Sequence, residues 1–147
     1  MTFHGVYGLD TNAPKGTETN IDAPEIQINA SVTGQDATGT AAGIQTGQST
    51  PYPVLSIGTK QAGSIAITAT AAGQASARGI DFGPNNGGTL NLGTAGSEIT
   101  IQAIAERNTG ARGIRFEDSS GILNVEAETL TVLAETTTVD DDLNTGV

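Results

Sequence analysis

The sequence predicts an all-β fold: a right-handed parallel β-helix of about four coils, with three short strands in each coil. Three short apolar signatures recur in a fixed order with a period of roughly 35 residues. Within them, apolar and polar residues alternate, which is typical of strands with one buried face. Between them lie turn formers such as Gly34-Gln35-Asp36 and Asn108-Thr109-Gly110. Such a repeat buries its apolar face only against its neighbours, and parallel crossovers favour the right hand.

The first signature is an alternating Ile-x-Ile-x-Ala run, which predicts one strand of each coil with its isoleucines facing inward. Its copies are Ile26/Ile28/Ala30, Ile65/Ile67/Ala69, Ile99/Ile101/Ala103 and Leu130/Val132/Ala134. The alanines form a predicted column at a place where the interior narrows. Threonines and Gly73 argue against a helix over the Ala-rich segment 66–77.

The second signature is Gly followed by a branched apolar residue. Its copies are Gly5-Val6, Gly43-Ile44, Gly79-Ile80 and Gly113-Ile114. In the last two copies a phenylalanine follows, and we expect Phe82 and Phe116 to stack in register. Because the first copy stands so near Met1, the sequence is interpreted as a fragment of a longer repeat protein that begins in mid-coil.

The third signature resembles Leu-Asn-Leu, with the copies Asn20-Ile21, Leu55-Ser56-Ile57, Leu90-Asn91-Leu92 and Leu123-Asn124-Val125. We expect its asparagines to form a ladder of hydrogen bonds along the axis of the solenoid. Residues 1–147 are interpreted as one β-solenoid segment, with 135–147 as an acidic tail or cap. Open ends expose strand edges and a cut core, which predicts end-to-end or lateral self-association.

Composition excludes several classes of function. Six basic against sixteen acidic residues give a net charge of −10, which argues against binding nucleic acid or an anionic membrane. No apolar run is long enough to cross a membrane, so we expect no membrane insertion by this segment. Cysteine is absent, which excludes disulfides and cysteine-based metal or redox sites.

Four charged residues of the second signature are candidates for catalysis: Arg78, Asp81, Arg112 and Arg115. We expect Arg78 to lie at a corner before its strand, with Gly79 as the break. Asp81 and Arg115 are expected to point outward, one coil apart. A cross-strand ion pair is the favoured interpretation, ahead of catalysis.

Three consecutive carboxylates near the C-terminus are candidates for Ca²⁺ ligands: Asp140, Asp141 and Asp142. A solvated acidic tail is the favoured interpretation, because the spacing matches no defined calcium loop. We expect no other cofactor. His4 is the one histidine of the sequence, which argues against a His-dependent hydrolase or zinc site.

The repeats resemble the passenger regions of bacterial autotransporters and filamentous-haemagglutinin-like adhesins, over about Gly5 to Ala134. The resemblance implies a non-catalytic structural or adhesive segment of a secreted or surface-displayed protein. Its partners would be other copies, or a host or cell-surface protein or glycan that meets the loops 46–53 and 83–88. Two alternatives stay open: a carbohydrate-active lyase, hydrolase or tailspike-like segment, and a self-assembling extracellular fibre subunit. Two Tyr, three Phe and no Trp offer few rings for stacking on sugars, which weighs against the first alternative.

Overall fold

The computed structural model describes residues 6–10, 18–34, 37–46, 53–83, 87–106, 110–117 and 120–137. All regular secondary structure in these ranges is β. The strands are β1 (Val6–Asp10), β2 (Glu18–Ile21), β3 (Glu25–Val32), β4 (Thr40–Gln45), β5 (Val54–Ile57), β6 (Ser64–Ala71), β7 (Ser76–Phe82), β8 (Gly87–Leu92), β9 (Glu98–Glu106), β10 (Ala111–Phe116), β11 (Ser120–Val125) and β12 (Thr129–Thr137).

These strands form three parallel four-stranded sheets, and each signature supplies one sheet. Sheet A has the order β1-β4-β7-β10, sheet B the order β2-β5-β8-β11 and sheet C the order β3-β6-β9-β12. The chain visits A, B and C in turn, and each strand pairs with its equivalents one coil before and after. The predicted parallel β-helix, with three strands in each coil, is confirmed.

The interior is made of apolar columns that run along the axis. In β3 every second residue is buried, from Ile26 to Val32, and the isoleucines of sheet C join the core with residues of sheets A and B. Ala30, Ala69, Ala103 and Ala134 pair in register, which confirms the alanine column. The buried members of this column cluster with Ala41 and Ala77 of sheet A, so mainly alanine side chains fill this narrow part of the interior.

A glycine column lets sheet A approach sheet C closely. A Cβ atom on Gly79 would lie 2.4 Å from Ile101 Cγ2 and 2.5 Å from the carbonyl oxygen of Gly113. The first member of the column is Gly8, because Leu9 pairs with Ile44. The expected first copy, Gly5-Val6, is therefore wrong by three residues, and Gly8-Leu9 takes its place.

Corners between strands use the turn formers that the sequence marks. Gly73 and Gly96 have φ angles of 62° and 85°, a conformation that favours glycine.

Of the predicted tail, Glu135 to Thr137 belong to β12, and 138–147 lie outside the described residues. In the part of the chain that the structure describes, no helix has the length and hydropathy needed to cross a membrane.

Candidate functional site

The four charged candidates lie on sheet A, where the inward and outward alternation is interrupted. Ala77, Ile80 and Phe82 are all fully buried, and Gly79 faces Ile101 of sheet C. Gly79 and Ile80 are thus consecutive inward residues. Arg78 and Asp81 are therefore the two outward residues on either side of this inward pair. They are three apart in sequence, and their side chains are in contact.

Arg78 is therefore part of a strand rather than a corner. Strand β7 begins at Ser76, before Arg78, and Arg78 pairs in register with Arg112 of β10. The expectation that Arg78 precedes the strand is wrong. The expected break at Gly79 is real, but it takes the form of two consecutive inward residues inside the strand.

Asp81 is the centre of an ion-pair network that joins two coils. Arg78 Nη1 donates to Asp81 Oδ2 over 2.7 Å, and Arg115 Nη1 donates to Asp81 Oδ1 over 3.1 Å. Arg115 also pairs with Glu117. Asp81 is 3% exposed, so these charge-assisted bonds replace the water that its carboxylate loses. The predicted Asp81–Arg115 pair is confirmed, and Arg78 is added to it.

This geometry limits the chemistry that the network can perform. Both oxygens of Asp81 are already bound by guanidinium groups, whereas a general acid or base must contact its substrate. Arg115 Nε is also buried, without a hydrogen-bond partner in the described part of the chain. Arg112 is exposed, whereas Arg78 and Arg115 are partly buried. The arrangement favours a structural ion-pair network, and a catalytic role for these residues stays a prediction.

The same register reveals two polar residues that sequence reasoning missed. Asp10 pairs with Gln45, Gln45 with Asp81, and Asp81 with Arg115. One outward column of sheet A is therefore polar in all four coils. The signal was present in the sequence, since each member follows the branched residue of the second signature. It was hidden in the first coil by the alignment to Gly5-Val6.

A second polar feature is the asparagine ladder on sheet B. Asn91 Nδ2 donates to Ser56 Oγ over 3.1 Å, and Asn124 Nδ2 donates to Asn91 Oδ1 over 2.9 Å. The ladder is thereby confirmed, with Ser56 as its member in the second coil and Asn20 in register beside Ser56.

Beside this ladder lies an open surface hollow of about 210 Å³, lined by Asn91, Gly93, Asn124 and Glu126 among others. Glu126 is the one titratable residue of that lining. Glycoside hydrolysis commonly needs two carboxyl groups, so the hollow does not supply that set from its described lining.

The calcium candidates cannot be placed in the same way. Asp140, Asp141 and Asp142 lie outside the described residues, as does His4. Among the residues that are described, no group of three or more His, Cys, Asp or Glu side chains could hold a metal ion. A calcium site at the three aspartates stays a prediction.

Comparison with known proteins gives no relative from which a role could be read. The chain matches no family model, no curated protein and no solved structure. The β-helix part of the resemblance to surface adhesins is borne out by the three parallel sheets. The narrower likeness to autotransporter passengers and filamentous-haemagglutinin-like adhesins stays a prediction.

Proposed function

We propose that this chain is a non-catalytic structural and adhesive segment of a secreted or surface-displayed bacterial β-helix protein. The observation that carries the proposal is the ion-pair network at Asp81. Both carboxylate oxygens of Asp81 are bound by arginines of the solenoid itself, which leaves neither oxygen for a substrate. The acidic, cysteine-free composition and the resemblance to surface adhesins support the location. In this role the solenoid is a spacer that lengthens by about 4.8 Å for each coil.

We place the adhesive contact at the corner of the solenoid between sheets A and B. The segments that join β4 to β5 and β7 to β8 both pass from sheet A to sheet B. Thr46, Pro53 and Gly83, where these segments leave the described structure, are buried, while residues 47–52 and 84–86 lie outside it. We assign contact with a host or cell-surface protein or glycan to this corner, because loops on a rigid scaffold commonly carry binding.

A binding assay with a matched loop variant tests the adhesive role. Residues 47–52 are replaced by a Gly/Ser segment of equal length, and binding is measured on a glycan array and on cell surfaces. The control replaces Gln61 and Ala62, which are exposed at the corner between sheets B and C, by Ser. We expect the loop variant to lose binding while its unfolding midpoint and the binding of the control stay unchanged. Absence of binding by the parent contradicts the adhesive role, and equal binding by all three proteins contradicts its assignment to residues 47–52.

The substitution Asp81→Asn separates the structural role from the enzymatic alternative. Removing the buried carboxylate leaves Arg78 without its ion-pair partner and Arg115 with Glu117 alone, so we expect the free energy of unfolding to fall by about 3 kcal/mol. The control Glu98→Gln, at an exposed position of sheet C, should change it by less than about 0.5 kcal/mol. Both variants and the parent are incubated with acidic and neutral polysaccharides, and new reducing ends are measured. Cleavage by the parent that Asp81→Asn abolishes would replace the structural role with that of a carbohydrate-active enzyme.

A further inference from the structure

The last coil leaves the apolar core open at its outer side. Val132, in β12, pairs with Ile101 of the preceding coil. Ile101 is fully buried, whereas Val132 is 45% exposed, and Leu130 and Phe116 are exposed in the same way. Strands β10, β11 and β12 each stand at the edge of their sheet. Within the described residues, this end therefore combines a cut core with three strand edges, a combination that favours pairing with another chain.

The first coil presents the matching edges, those of β1, β2 and β3. We propose that a second copy of this chain stacks head to tail on the last coil. Strands β1, β2 and β3 of the second copy would then pair in parallel with β10, β11 and β12 of the first. This contact uses the ends of the solenoid and not its corner loops, so it is independent of the proposed adhesive role.

The apolar columns of sheet C continue across such a junction. If the register of the four coils is extended by one step, Ile26 of the second copy follows Leu130, and Ile28 follows Val132. Ala30 follows Ala134, so that the narrow part of the interior again receives a small side chain. The exposed inward residues of β12 are thus covered by residues of the type that covers their equivalents inside the chain.

The glycine column of sheet A also continues. Gly8 of the second copy follows Gly113, and a Cβ atom on either residue would strike a side chain of sheet C. The close approach of sheets A and C is therefore the same at both ends of the solenoid.

The polar columns add specificity to the same register. Asn20 of the second copy follows Asn124, which extends the amide ladder by one member. Asp10 follows Arg115, which places a carboxylate beside a guanidinium across the junction. A tail-to-tail contact would instead bring the Arg115 side chains of two copies to the same end. Charge therefore favours the head-to-tail arrangement.

Other charges oppose the contact and give it a salt dependence. Backbone hydrogen bonds place Asp22, Gly58, Gly93 and Glu126 at equivalent positions of successive coils, so Asp22 of the second copy would follow Glu126. The net charge of −10 adds repulsion between copies. Because salt screens such repulsion, the stack should be weak in low salt and stronger in high salt.

Analytical ultracentrifugation of two lysine variants of β12 tests whether the outer side of the last coil is the contact surface. Val132→Lys places an ammonium group in the inward column that the stack would bury. Leu133→Lys places it on the outward side of the same strand, at a similar exposure of 43%. We expect the parent to self-associate with rising protein and salt concentration. Val132→Lys should raise the dissociation constant at least about tenfold, and Leu133→Lys should leave it nearly unchanged. A parent that stays monomeric in all conditions, or two variants with equal effects, overturns the proposal.

Cysteine cross-linking tests the register and does not depend on how the lysine variants fold. Asn20 and Asn124 are both exposed, and the chain has no cysteine of its own. Within one copy they are three coils, or about 14 Å, apart, which is beyond the reach of a disulfide. In the stack they are neighbours on paired strands.

We expect the oxidised double variant Asn20→Cys/Asn124→Cys to form a ladder of covalent oligomers on a denaturing gel. The control Asn29→Cys/Asn124→Cys places its cysteines on different sheets and should stay monomeric. Equal ladders in both variants overturn the register. Dimers of the single variant Asn124→Cys in the same yield would show a tail-to-tail contact instead.

Discussion

At the scale of single residues, glycine at 79 determines how closely sheets A and C can pack. The space for a Cβ atom there is taken by Ile101 Cγ2 and by the carbonyl oxygen of Gly113. The first can move by a rotamer change, but the second belongs to the backbone of the next coil and cannot. The same glycine precedes a second inward residue, Ile80, and so brings Arg78 and Asp81 together on the outer face.

We therefore expect Gly79→Ala to lower the free energy of unfolding by about 3 kcal/mol, the upper part of the range for overpacking a core. The matched control is Gly110→Ala, where nothing lies within 4 Å of an added Cβ atom but φ is +87°. That variant bears only the backbone strain of a left-handed residue, about 1 kcal/mol. Urea unfolding curves of the parent and the two variants measure both changes in the free energy of unfolding. A smaller effect at 79 than at 110 would contradict the close approach of the two sheets.

At the scale of strands, each column of equivalent residues is a separate unit of stabilisation. Side chains that pair across parallel strands contribute by contact with the coil before and the coil after. Phe82 and Phe116 show this for rings, whose centroids are 4.4 Å apart with 7° between their planes. Asn91 shows it for amides, because it donates to Ser56 and accepts from Asn124.

The asparagine ladder predicts a graded response to substitution. Asn91→Ala removes two hydrogen bonds at a half-buried position and should lower the free energy of unfolding by about 2 kcal/mol. Asn124→Ala removes one at an exposed position and should cost about 0.5–1 kcal/mol. Thermal or urea unfolding of the two variants gives the comparison. Equal losses would mean that the ladder adds nothing beyond the contacts of each strand.

Repeats of this kind make the strands and their register readable from sequence, but not the local breaks. Copies of Ile-x-Ile-x-Ala and Leu-Asn-Leu are long enough to align, so sheets B and C follow from the sequence. The copy Gly5-Val6 is only two residues long. The choice between Gly5 and Gly8 depends on which glycine faces Ile28, a contact that no local pattern contains. The binding of Asp81 by Arg78 was missed for a related reason, since it requires two consecutive inward residues inside a strand.

At the scale of the whole molecule, each coil contacts mainly the coils beside it. Stability in such a solenoid is close to a sum of coil and interface contributions. Thr40 and Ser76 occupy the same position in successive coils, as do Ala41 and Ala77. A chain in which Ala77 follows Thr40 directly, with 41–76 removed, therefore keeps the order A, B, C with one coil fewer.

We expect this three-coil variant to keep the far-ultraviolet circular dichroism of a β protein and to unfold cooperatively. Its columns stay matched, since Ile28 then meets Ile101 and Asn20 meets Asn91. The free energy of unfolding should fall by about a quarter to a third, as expected when one of four nearly equivalent units is lost.

The control removes 41–63, which takes out β4 and β5 but leaves β6. A strand of sheet C would then follow β3 directly and would have to occupy sheet A, so its isoleucines would meet the glycine column. That variant should lose its cooperative transition. If the two deletions destabilise the protein equally, the coils do not act as exchangeable units, and matched columns do not explain the stability of the solenoid.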